Sequence, residues 1–149
     1  MTEQRYPARE RLAAAGLRAT KQRVAVLEWL STHPHAPADA VITGVRENLG
    51  SVSIQAVYDV LNACIHAGLV RRIENAGHPA EFETRTRDNH HHLVCRGCGR
   101  TEDIDCAAGR APCLEPSDSS GYDIDEAEVI LWGYCLACLS DETAGQATA

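Results

Sequence analysis

Four cysteines stand in two matching pairs, Cys95 and Cys98 in CRGC and Cys135 and Cys138 in CLAC, with 36 residues between the pairs. Each CxxC lets two thiolates bind one ion from a tight turn, and two such turns complete a tetrahedral shell. Zinc prefers that shell, and four protein ligands leave no position for a substrate, so the expected role is structural. A pair of thioredoxin-like redox motifs is the alternative, but it lacks the strand-to-helix context of that chemistry. The first pair is preceded by DNHHHLVC, which brings His90, His91 and His92 beside Cys95. HHLVC alternates like a strand, so His90 and His92 would face one way and His91 the other. Such a histidine pair needs partners from elsewhere in the chain. Glu81, Glu83, Asp88, Asp103, His33 and His35 are within reach, and spacing alone leaves open whether a second metal site exists or the histidines form a solvated loop.

The chain that must position these groups has 149 residues, enough for one ordinary domain or two small ones. No run of eighteen apolar residues occurs, and the charged start MTEQRYPARERLAAAG has no apolar signal core, so a cytoplasmic protein with no membrane partner is expected. Seven cysteines, an odd number, in such a chain favour metal or redox chemistry over a disulfide framework. The net charge of −7 is unevenly spread. Residues 1–80 carry nine Lys/Arg against seven Asp/Glu, and residues 81–149 carry five against fourteen. That asymmetry suggests two halves with different work.

In the first half, PARERLAAA favours helix and Gly16 stops it. ATKQRVAVLEWLSTH begins at Thr20 as a cap and sets Val24, Leu27, Trp29 and Leu30 near helical spacing. PADAVITGVRENLG repeats the pattern to Gly50. SIQAVYDVLNACIHAG opens on Ser53, turns Ile54, Val57, Leu61, Cys64 and Ile65 inward, and closes at Gly68. LVRRIE and AEFETR follow as two extended stretches around the turn-prone NAGHP. Short helices followed by a two-stranded hairpin give the chain order of a winged helix-turn-helix, with helix 53–67 entering the major groove of double-stranded DNA. Arg18, Lys21, Arg23, Arg71 and Arg72 would contact phosphates, and Ser53, Gln55 and Tyr58 would reach base edges. The plainer alternative is the solvated surface of a small helical domain. A charge of +2 over eighty residues is modest, and a dimer would double the footprint.

The segments LRATKQRVAVLEWL, HPHAPADAV, VSIQAVYDVLNACIHAGLVRRIE, FETRTRDNHHHLVCRGCG and GYCLAC, in this order over about residues 8–139, resemble the ferric uptake regulator (Fur) family. QAVYDVL, DCAAGRAPCL and DEAEVILWGYC are most similar to its actinobacterial branch, whose members sit beside catalase-peroxidase genes and repress them. The resemblance implies an α+β homodimer. Residues 1–84 would form an N-terminal winged helix-turn-helix, 85–90 a hinge, and 91–139 a small α/β dimerisation and metal-binding domain, while the polar, small-residue composition of 140–149 points to a disordered tail. The resemblance also implies that Cys95, Cys98, Cys135 and Cys138 hold structural Zn(II), and that His35, Glu83, His90, His92 and Asp103 hold a regulatory Fe(II) or Mn(II). DNHHHLVCRGCG would then serve two sites. Aspartate at position 103 matches peroxide-sensing members, whereas Glu83 matches iron-sensing ones, and zinc- and nickel-responsive repressors are further alternatives. The implied protein is a metal-dependent repressor of operator DNA and not an enzyme. A zinc enzyme is the distant alternative, and neither H-E-x-x-H nor a deaminase signature occurs.

Two departures stand out. A second histidine-carboxylate site of the family would fall at Asn89, His91 and Ala127, which looks incomplete. The helix usual after the second strand is replaced by CAAGRAPCLEPSDSSG, too rich in proline and glycine for a long helix. Cys106 and Cys113 in this segment are expected to be either a reversible disulfide pair or small packing residues, and Cys64 a core residue.

Overall fold

The computed structural model describes residues 6–86, 88–110 and 112–146, with side chains described up to residue 141. The chain divides into two compact units between Asp88 and Asn89. Among the described residues no helix is long and apolar enough to cross a membrane.

The first unit runs α1 (Ala8–Ala14), α2 (Lys21–Thr32), β1 (Ala36–Pro37), α3 (Ala38–Leu49), α4 (Ile54–His66), β2 (Arg71–Ile73) and β3 (Glu81–Glu83). The helix boundaries follow from local chemistry. Thr20 caps α2 by accepting from the Arg23 amide at 3.3 Å, and Ser53 caps α4 by accepting from the Ala56 amide at 3.0 Å. Gly16, Gly50 and Gly68, all at positive φ, follow the ends of α1, α3 and α4. One cluster forms the core, with Leu12, Val26, Leu27, Leu30, Val41, Val45, Val57, Leu61 and Cys64 fully buried. Helices α2 and α3 approach so closely that a Cβ at Gly44 would lie 1.9 Å from Trp29 Nε1. Arg11, buried on α1, donates to the carbonyl oxygens of Thr84 at 3.3 Å and Leu69 at 3.5 Å, which ties the first helix to the ends of the sheet strands.

Two expectations for this unit change. The sheet has three strands, ordered β1-β3-β2, because the two-residue β1 adds to the hairpin. Two residues, one of them proline, carry no periodicity from which a strand can be read. Ile54 does not turn inward: it lies on the Tyr58 side of α4, and both are exposed. In the segment expected as a hinge, Thr86 donates to the Gly68 carbonyl at 2.9 Å and Arg85 pairs with Asp88.

The second unit is a three-stranded sheet, ordered β5-β4-β6, from β4 (His90–Cys95), β5 (Thr101–Asp105) and β6 (Ile130–Gly133), followed by α5 (Leu136–Gln146). β5 pairs antiparallel and β6 parallel with β4. No helix forms between Asp105 and Ile130 among the described residues. Helix α5 corrects the expected tail: residues 140–146 continue the helix, whose Ala, Glu and Gln are good helix formers, and 147–149 lie outside the described residues.

Candidate metal centres

The four cysteines of the two CxxC turns meet because of strand order. β6 runs parallel to β4 with Gly133 level with Cys95, so both strands deliver a CxxC at the same sheet end. The first turn is closed by the Gly99 amide donating to the Cys95 carbonyl at 2.9 Å, with Gly99 at φ 74°. The second turn opens α5, the Leu139 amide donating to the Cys135 carbonyl at 3.0 Å. All four Sγ atoms lie within 4.8 Å of one another, with Cys98 and Cys135 at 3.9 Å. A tetrahedral zinc shell places sulfurs about 3.8 Å apart, so these residues fit one ion with little movement. Glycine at position 97 leaves room for the cluster, since a Cβ there would stand 2.9 Å from Cys138 Sγ and push that thiol aside.

The thiols of the cluster differ in acidity. The Cys135 amide, donating to Cys95 Sγ at 3.3 Å, and the amides of Cys98 and Gly97 draw the Cys95 thiol down to about 6. The Cys138 thiol is pushed up to about 12, first by hydrogen bonds with the Cys135 and Cys95 sulfurs. Cys95 is thus favoured as a thiolate and Cys138 as a thiol, and a divalent ion beside them would favour the thiolate form of Cys138 as well.

The histidine-carboxylate residues form one group in each unit. In the first, the β1–β3 register sets Ala36 against Phe82 and Pro37 against Glu81, so the next step places His35 opposite Glu83. His35 Nε2 lies 3.4 Å from Glu83 Oε2. His35 is held at φ 57°, a left-handed conformation that costs a non-glycine residue about 1–2 kcal/mol. In the second unit, the β4–β5 register sets His92 against Asp103 and His90 against Asp105, placing all four on one sheet face. Asp103 Oδ1 lies 3.7 Å from His90 Nε2 and 3.6 Å from His92 Nε2, and the two rings meet edge to face at 4.9 Å. Two imidazoles and a carboxylate are a donor set suited to Fe(II).

His91 points to the opposite face, as strand alternation requires, and there it meets a group that its sequence surroundings did not suggest. Its Nε2 lies 3.2 Å from Cys113 Sγ, and donor atoms of His91, Cys106 and Cys113 are mutually within 4.8 Å. The incomplete histidine-carboxylate set of Asn89, His91 and Ala127 is thus replaced by two thiols around the same histidine. All seven cysteines are free thiols. Burial opposes ionisation of Cys106, but the amides of Ala108 and Gly109 outweigh it and hold that thiol below its ordinary value. Burial, then Cys106, pushes the Cys113 thiol up. Cys64, fully buried in the helical core, is pushed up by burial to about 11 and stays a protonated thiol.

The residues expected to meet DNA all lie in the first unit. Arg18 and Lys21 are exposed at the start of α2, while Arg23 is half-buried and donates to the Arg18 carbonyl at 3.0 Å. Ser53, Gln55 and Tyr58 are exposed on the first turns of α4, with Gln55 bonded to Asp59 at 2.8 Å. Arg71 is half-buried on β2, level with Glu83, and exposed Arg72 pairs with Glu74 at 2.8 Å.

The sequence pattern of the ferric uptake regulator family matches residues 14–131. Ferric uptake regulation protein 1 of Mycolicibacterium fortuitum is 58% identical over 125 residues, covering 84% of this chain and 78% of its own length. Transcriptional regulator FurA of Mycobacterium tuberculosis is 53% identical over 135 residues, covering 91% of this chain and 92% of its own length. Among solved structures, the ferric uptake regulator of Pseudomonas aeruginosa with manganese superposes with a TM-score of 0.67 at 25% identity, covering 88% of this chain and 99% of that one. With the family pattern matching residues 14–131 and relatives more than 50% identical over most of the chain, the chain belongs to the ferric uptake regulator family, whose named relatives are transcriptional regulators and not enzymes.

Proposed function

We propose that this chain is a metal-dependent repressor that binds operator DNA as a homodimer when Fe(II) or Mn(II) fills its regulatory site, and that peroxide releases it. The observation that carries the reading is the division of donors. His35 and Glu83 give two in the first unit, and His90, His92 and Asp103 give three in the second. Neither group alone fills the shell of an ion that prefers five or six ligands, about the number the two supply together. Metal affinity for the arrangement that joins them would shift the population toward it, and toward one placement of the two α4 helices on DNA. Cys95, Cys98, Cys135 and Cys138 would hold structural Zn(II) independently of that change.

Dimerisation is supported by one apolar face of the second sheet. Leu93 and Leu131 are level on β4 and β6, Ile104 lies on the same face, and all three are exposed, as is Leu136 at 82%. Such a patch is the kind that marks a protein interface.

Iron held by His35, Glu83, His90, His92 and Asp103 would catalyse oxidation of a ligand ring by peroxide, the ring itself giving up the two electrons that peroxide gains. One oxygen would end on a ring carbon of His35 or His90 in place of hydrogen, the other leaving as water, and the altered imidazole would no longer ligate. Asp103 supports this reading, and catalase-peroxidase and the protein's own gene are the expected targets. Glu83 supports a second one, release by iron depletion alone.

The test is anaerobic fluorescence anisotropy of the dimer on its own upstream DNA, titrated with Fe(II), Mn(II), Zn(II) and Ni(II), then with peroxide. Binding that requires Fe(II) or Mn(II) and collapses with peroxide in the Fe(II) sample alone is expected, together with one added oxygen atom on the His35 or His90 peptide. Binding that follows zinc or nickel and ignores peroxide would reassign the chain to metal-uptake control.

A further inference from the structure

The thiol–imidazole cluster on the far side of β4 takes no part in either group of regulatory donors. His91 faces away from His90 and His92 and is 8% exposed, with Ile104 as its cross-strand partner. The segment after β5 folds back over it. The Cys106 amide donates to the Asn89 carbonyl at 3.0 Å, fixing the first thiol beside the start of β4. The Gly109 amide donates to the Cys106 carbonyl at 3.2 Å, and Asn89 Nδ2 donates to the Arg110 carbonyl at 2.5 Å. These bonds turn the chain so that Cys113 returns to His91. The proline and glycine content that forbids a helix here is what allows the return.

We propose that His91, Cys106 and Cys113 form a further metal site, selective for zinc or another thiophilic ion and distinct from both the four-cysteine cluster and the histidine-carboxylate groups. Around tetrahedral zinc a sulfur and a nitrogen lie about 3.6 Å apart and two sulfurs about 3.8 Å. The three donor atoms lie within 4.8 Å of one another, and the Cys113–His91 pair is already at 3.2 Å. The buried ring has no competing use, since its Nδ1 has no hydrogen-bond partner among the described residues. A disulfide between the two cysteines would need no imidazole beside it, whereas a metal shell does. Soft sulfur donors disfavour Mn(II), and zinc outranks Fe(II) in affinity at such a site, so this site and the regulatory one would sort different ions. Three protein ligands leave a fourth position for water, so the ion here exchanges more readily than one in a closed four-thiolate shell.

Two measurements on the full-length reduced protein, with the four-cysteine cluster zinc-loaded, test this. Added Co(II) is expected to give a thiolate-to-cobalt charge-transfer band in the wild type that saturates near one equivalent per chain. The band should be absent from the double variant Cys106→Ser, Cys113→Ser and strongly weakened in His91→Ala. Because a substituted loop can lose its conformation, the second measurement uses the wild type alone: alkylation of Cys106 and Cys113, read by peptide mass, with and without added Zn(II). Zinc should slow both at least tenfold. Equal alkylation rates with and without zinc, no charge-transfer band in the wild type, or a Cys106–Cys113 disulfide that forms as fast with zinc present as without it, would each overturn the proposal.

Discussion

The two units reach stability by different means. The first encloses a continuous apolar core, from Leu12 on α1 through Leu27 and Leu30 to Val57, Leu61 and Phe82. In the second, Val94 and Cys95 are the only buried hydrophobic residues among those described, while Leu93, Ile104, Leu131, Tyr134, Leu136 and Leu139 are exposed. Apolar burial drives folding at roughly 25 cal/mol per Å² removed from water, so a unit that buries so little must gain stability elsewhere. Small domains in this position commonly use a metal or a partner subunit. The second unit offers a place for each, in four convergent thiols and in an apolar sheet face.

Zinc removal should expose this difference most strongly, because structural zinc contributes about 10–16 kcal/mol in small domains built around it. After chelation under reducing conditions, amide exchange in β4, β5 and β6 should approach that of an unfolded chain while α2, α3 and α4 stay protected. Cys64 supplies an internal control: buried, and with its thiol pushed up to about 11, it should resist alkylation while the four cluster thiols react. Retained protection of β4 without metal would break the comparison.

Leu27→Ala makes the converse perturbation, opening a cavity in the helical core. It should cost about 2–5 kcal/mol in the first unit and leave zinc stoichiometry unchanged, as read by denaturant unfolding and metal analysis. Gly44→Ala should cost about 1–3 kcal/mol by driving a methyl group into Trp29. A variant as stable as the wild type would mean that α2 and α3 separate easily.

Leu93→Asp sharpens the account of the second unit. An exposed leucine contributes little within one chain, typically within about 0.5 kcal/mol. In sedimentation the variant should shift toward monomer on dilution while keeping its zinc, and an unchanged dimer would move the interface away from this face. Ser53→Ala, which removes the α4 cap, should cost about 1 kcal/mol in denaturant unfolding without moving the second unit.

The helices of the first unit were legible because each signal is local. Thr20 and Ser53 cap, Gly16, Gly50 and Gly68 terminate, and apolar residues recur at helical spacing between them. β1 was not legible, because a two-residue strand exists only by virtue of its partner β3. Ile54 misled for a related reason: the first turn of a helix can point away from the core while its later residues do not. The meeting of the four cysteines was legible because two CxxC turns leave little other use for four thiols. The alternation of HHH was equally plain, and it put His90 and His92 apart from His91.

By itself, then, the sequence determined helix boundaries, strand alternation and which residue types could bind metal. The tertiary structure decided which of those residues meet. His35 reaches Glu83 through the register of β1 on β3, the two CxxC turns meet because β6 lies parallel to β4, and Cys106 and Cys113 close on His91 through a loop fixed by backbone hydrogen bonds. Caps and periodicities act over a few residues and can be read in order along the chain. Ligand convergence depends on strand pairing between segments far apart in sequence, and pairing leaves no local mark until the backbone has folded.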